Sequence, residues 1–80
     1  VNASDAQRAQ VRQIADAARA DLKAQREAGK SLRQQQLQLF MQPTVDANAV
    51  EALRRQMLAQ HDQASQRMTQ AMLDISRVLT

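Results

Sequence analysis

Residues 27–50 read EAGKSLRQQQLQLFMQPTVDANAV, and where this stretch breaks decides how many helices the chain has. Gly29 suits the C′ position just past a helix, where a left-handed backbone costs glycine little. Ser31 and Gln34 have capping-box spacing. The serine hydroxyl accepts from the N–H three residues on, and the glutamine side chain reaches back to the serine N–H. Pro43 cannot continue a helix, and the residue before a proline resists helical geometry. Asp46 is a good N-cap, with Val45 and Val50 at the N′ and N4 staple positions. The stretch therefore predicts a helix ending near Ala28, a short helix over 32–41 and a long one starting at Asp46.

The same phrase occurs upstream. Ser4 and Gln7 repeat the capping-box spacing, so the first helix is expected over about residues 5–28. Its apolar seam is Val11, Ile14, Ala18 and Leu22, with Gln25 at the next place, all at helical steps. The second helix carries Leu32, Leu37, Leu39, Phe40 and Met41. The third runs without Gly or Pro over 46–79. Its seam is Val50, Leu53, Met57, His61, Ala64, Met68, Ala71, Ile75 and Val78, close to a heptad. Leu58, Met72, Leu73 and Leu79 widen that stripe, which implies packing on more than one element. At 1.5 Å per residue the third helix spans roughly 50 Å and the first roughly 36 Å, so part of the long helix is expected to meet another chain or a client.

Composition agrees with an all-α chain of one domain over residues 1–80. There are fifteen Ala, about twenty larger apolar residues, one Gly, one Pro and a single aromatic, Phe40. A domain this small buries a modest share of its surface and usually needs disulfides, a metal or a partner chain. With no Cys and one His, oligomerisation is the remedy left, and a homodimer is expected. Residues 1–42 carry seven basic side chains (Arg8, Arg12, Arg19, Lys23, Arg26, Lys30, Arg33) against four acids, while residues 43–80 carry four of each. A basic first half draws anionic or acidic partners, or is simply a solvated helix face. No apolar run reaches the ~20 residues of a membrane span. The chain opens at Val1 rather than Met, as a processed or trimmed protein would, so export stays open.

Chemistry finds little support. No carboxylate pair sits with a His or a nucleophile in a recognisable arrangement, and Ser4, Ser31, Ser65 and Ser76 have no partner pattern. No cofactor is implied, and an enzyme is not expected. His61 could serve as a metal ligand or pH switch, but no second His or Cys accompanies it. A polar seam residue that sets register is the simpler reading, so no metal site is assigned. Met68 reads as core, whereas Met41 and Met57 could be core or an adaptable binding surface. The Gln34–Gln38 run is interleaved with leucines and reads as helix rather than low complexity. Nucleic-acid binding is disfavoured by a net charge of only +3 and nearly absent aromatics.

Several of these phrases resemble a known family. ASDAQRAQVRQI resembles the first Leu-Thr-x-x-Gln segment of the Spy/CpxP family of periplasmic proteins, with Ala3-Ser4 in place of Leu-Thr and Gln7 retained. TVDANAVEALRRQM resembles the start of that family's long helix. MLDISRVLT resembles its run into the second motif, of which Leu79 and Thr80 would be the first two residues, with Thr80 capping a further helix beyond this chain. The resemblance implies an all-helical antiparallel homodimer forming a thin cradle with a basic, partly apolar concave side. It implies an ATP-independent chaperone-like function toward unfolded or misfolded clients in the periplasm during envelope stress. The candidate client-binding residues are then Arg19, Lys23, Arg26, Arg33, Leu37, Phe40 and Met41, and the dimer or core seam comprises Val50, Leu53, Met57, His61, Met68 and Ile75. Alternatives are a CpxP-like regulator that binds the periplasmic domain of a sensor kinase, and a metal-responsive protein of the ZraP or CnrX type. The single His and the absence of a His-rich tail weaken the latter.

Overall fold

A computed structural model describes residues 2–80. It is an antiparallel hairpin of two helices, α1 (Asp5–Phe40) and α2 (Ala47–Leu79), about 61 Å long and 15 × 14 Å across. No strand occurs among the described residues.

Three of the anticipated boundaries hold. Ser4 is extended (φ −68°, ψ 163°) and makes both halves of the capping box. The Gln7 N–H donates to Ser4 Oγ at 3.1 Å, and the Ser4 N–H donates to Gln7 Oε1 at 2.8 Å. α1 ends at Phe40, where the Met41 N–H donates to the carbonyls of Leu37 and Gln38. Asp46 caps α2, one carboxylate oxygen accepting from the N–H groups of Asn48 and Ala49, both at 3.1 Å. Such a cap stabilises a helix by about 1 kcal/mol.

The expected break at residues 29–31 does not occur, and the three-helix count is corrected to two. Gly29 has no positive φ, so it is no C′ residue. α1 runs straight through it, and the Ser31 hydroxyl accepts from the side chain of Gln35 instead of capping. Gln34 is exposed on the same uninterrupted helix. A capping box works only where the backbone enters from an extended conformation, and nothing between Ala28 and Leu32 forces that exit. The inward positions of α1 continue across the glycine as Leu22, Gln25, Gly29, Leu32, Gln36 and Leu39, at alternating steps of three and four. A mid-helix glycine costs about 1 kcal/mol relative to alanine. Here it is buried and admits α2, since a Cβ on Gly29 would lie 3.0 Å from Gln60 Oε1. Thr80 stands at the C-cap of α2, its N–H donating to the Ser76 carbonyl.

With 36 residues, α1 is about 54 Å long and covers the whole of α2. Length mismatch therefore does not leave α2 over. Three polar ties set the register. Gln7 Nε2 donates to the Val78 carbonyl at 3.1 Å, Gln60 Nε2 to the Gln25 carbonyl at 2.7 Å, and Arg67 Nε to Asp21 Oδ2 at 2.7 Å. All three fold the chain about Pro43. The apolar core is thin: besides Gly29, only Ala18, Leu53 and Ala71 are buried among the described residues.

Candidate functional site

The basic residues of α1 occupy one face. Arg12, Arg19, Arg26 and Arg33 recur every seven residues, with Phe40 at the next interval. Arg8, Lys23 and Lys30 fall beside them. At 3.6 residues per turn all seven cations lie within an arc of about 90°, along about 38 Å of helix. Every one is exposed.

Pairing makes this ridge the seat of the net charge. On α2, Arg54 and Arg55 pair with Glu51, Arg77 with Asp74, and Arg67 reaches across to Asp21. The Arg54 guanidinium bonds the Glu51 carboxylate at 2.5 Å and holds that carboxyl below its usual range. On α1 only Arg19 has an acidic partner, Asp16. Arg12, Lys23, Arg26, Lys30 and Arg33 form no ion pair among the described residues, and Arg8 donates to the Ala3 carbonyl. These cations are therefore not held in ion pairs.

The ridge runs into apolar surface at the hairpin tip. Leu37 is 61% exposed, Phe40 54% and Met41 72%, and Val45 is exposed across the turn. No acidic residue occurs between Glu27 and Asp46. The seven candidate client-binding residues, Arg19, Lys23, Arg26, Arg33, Leu37, Phe40 and Met41, are thus all exposed and lie along one side of α1 and its C-cap.

α2 adds a second apolar line, on the same flank of the hairpin. One groove is walled by Leu22, Arg26 and Arg33 of α1 and by His61, Ala64 and Met68 of α2. Farther along, toward the open end, Arg8, Arg12 and Val11 face Leu79. Met68, Met72 and Leu79 are exposed at helical spacing along this line. The opposite flank is lined by Ala24, Gln63, Gln66 and Gln70 around the Asp21–Arg67 pair, and by Gln35, Gln38 and Gln56 nearer the turn. One flank is cationic and apolar, and the other is amide-rich with its charges paired.

The expected seam of α2 is distributed differently from its spacing. Leu53 is buried, and Val50, Met57 and Ile75 are half-buried against α1, but His61 and Met68 face solvent. Met68 is therefore not core of the hairpin. Gln60 and Arg67 take the inward places, each bonded to α1. Their polarity concealed them, although the three-four alternation from Leu53 through Met57 and Gln60 to Ala64 carries the signal. The exposed Met72 and Leu79 were legible only as widening of a stripe.

No group of three or more His, Cys, Asp or Glu that could hold a metal occurs among the described residues. Asp62 accepts from Gln66 at 2.9 Å. No helix in the described residues is long and apolar enough to cross a membrane.

Searches of curated proteins and of solved structures found no match. The family model for LTXXQ motif family proteins matches residues 1–80. Proteins of that family are periplasmic and non-enzymatic. The Ser4–Gln7 capping box gives the motif a physical meaning here, as a helix start rather than a catalytic signature. With the match spanning its full length and its helix start built on this box, the chain belongs to the LTXXQ motif family.

Proposed function

We propose that this protein is an ATP-independent, chaperone-like protein of the periplasm. It holds unfolded or misfolded clients on the cationic and apolar flank of the hairpin. The observation that carries this reading is the unpaired ridge of α1 merging with exposed Leu37, Phe40 and Met41. Long-range attraction brings an acidic, unfolded segment to the ridge, and modest apolar contact at the tip retains it. Long flexible Arg, Lys and Met side chains adapt to many sequences. Clients, rather than one folded partner, suit a flank whose grooves lie open and whose exposed side chains are long and flexible.

The test is light scattering of a chemically unfolded acidic protein diluted into nucleotide-free buffer. Near-stoichiometric protein suppresses aggregation, and added salt weakens the effect. Phe40→Ala with Met41→Ala leaves the fold intact and raises the ratio needed several-fold. Absence of suppression, alongside saturable binding to a single folded sensor domain, would move the assignment to a signalling regulator.

A homodimer is part of the same proposal. Among the described residues nine large apolar side chains are exposed, and only three apolar side chains, two of them alanine, are buried. The continuous line of Met68, Met72 and Leu79 offers a second chain an apolar seam. The expected result in sedimentation equilibrium is twice the 9.0 kDa chain mass at micromolar concentration. A monomer at every concentration would sink the dimer and leave the exposed line wholly to clients.

A further inference from the structure

We propose that the cationic and apolar flank of the hairpin, along α1, is also a docking surface for an anionic phospholipid bilayer. A flat sheet of phosphates fits this face in three respects. The seven cations form one straight ridge, with Arg12, Arg19, Arg26 and Arg33 spaced about 10 Å apart along the axis, close to one Debye length at 0.1 M salt. Six of the seven, all but Arg19, have no ion pair among the described residues, so approach to a negative surface breaks no existing pair for them. The ridge also ends in Leu37, Phe40 and Met41 on its own side, and these reach the boundary between headgroups and acyl chains while the cations stay at phosphate depth.

A linear polyanion would complement the charge but leave the apolar tip unused. The amide-rich opposite flank, with its charges paired, faces away from the bilayer. Engagement is peripheral, since no described helix can span. It does not depend on whether the chain also holds clients.

The test is co-sedimentation with vesicles of phosphatidylcholine containing phosphatidylglycerol, against vesicles of phosphatidylcholine alone. The protein partitions onto the anionic vesicles and not the neutral ones. Replacing Arg19, Arg26 and Arg33 by Gln weakens partitioning about fivefold for each cation, on the order of 100-fold together. Replacing Arg54, Arg55 and Arg77 by Gln removes the same charge from α2 and retains most of the binding. In a Phe40→Trp variant the emission shifts to the blue only with anionic vesicles. Equal losses from the two triple variants, equal binding to neutral vesicles, or an unshifted tryptophan would overturn the proposal. So would partitioning unchanged by Leu37→Ser, Phe40→Ser and Met41→Ser together, which would mean the surface reads charge alone.

Discussion

Leu53→Ala removes a large share of the hairpin's stability. Leu53 is 5% exposed and is the only large side chain among the three buried apolar residues; the other two are alanines that cannot be truncated to the same effect. Removing a buried leucine side chain costs about 2–5 kcal/mol, the lower values applying where the site collapses. The groove beside Leu53, lined by Leu39, Ala49 and Ala52, can partly close, which places the cost near 2–3 kcal/mol. For a domain of this size that lowers the melting temperature by roughly 10–20 °C. Helix propensity cannot make up the loss, because isolated helices are marginal in water and most helical stability comes from packing. Leu58→Ala is the control: Leu58 is 56% exposed in the hairpin, so the change stays within about 0.5 kcal/mol. Thermal melts followed by helical ellipticity separate the two. If the Leu58 variant fell as far as the Leu53 variant, a second chain would be covering the outer stripe of α2. If neither moved, the packing of the hairpin would not be the source of its stability.

How much of this was written in the sequence depends on what each signal needs. The Ser4–Gln7 box, the stop at Pro43 and the Asp46 cap are local, since each is fixed by residues three or four apart, and all were readable. Ser31–Gln34 has the same spelling and caps nothing. The difference lies in the backbone before it: Ser4 enters from an extended conformation, whereas Ser31 is already inside a helix that α2 supports on both sides of Gly29. Gly29 carries the same ambiguity. A glycine after a helical run is either a stop or a close approach, and only the partner helix, bringing Gln60 to that point, decides.

The α2 seam shows a subtler limit. A step of four from Met57 leads to His61 and a step of three to Gln60, and both residues are polar. The deciding facts are the Gln25 carbonyl and the Asp21 carboxylate, which satisfy Gln60 and Arg67 from α1. Buried or half-buried polar groups follow their partners, and partners on another helix are not visible in a one-dimensional period. The charge imbalance between the halves was legible. The alignment of all seven α1 cations on one face required the helix to be continuous, so the expected break hid it.

Reversing that ridge has the largest expected effect on function. Arg19→Glu, Arg26→Glu and Arg33→Glu each move the net charge by two, so the triple variant carries −3 in place of +3. All three positions are exposed and none contributes to the core, so ellipticity and melting change little. The loss of the Arg19–Asp16 pair, with both partners more than half exposed, costs a few tenths of a kcal/mol at most. Steering by a field of one sign raises association rates by about 10–10³-fold, and the reversal turns that attraction into repulsion. Stopped-flow capture of an acidic unfolded client therefore slows by at least tenfold at low ionic strength. The difference shrinks toward ~1 M salt, where the Debye length falls to about 3 Å. A basic unfolded client changes in the opposite direction and is captured faster by the variant. That sign change is the decisive reading, because damage to the fold would slow both clients alike, and a ridge that does not meet clients would leave both rates where they were.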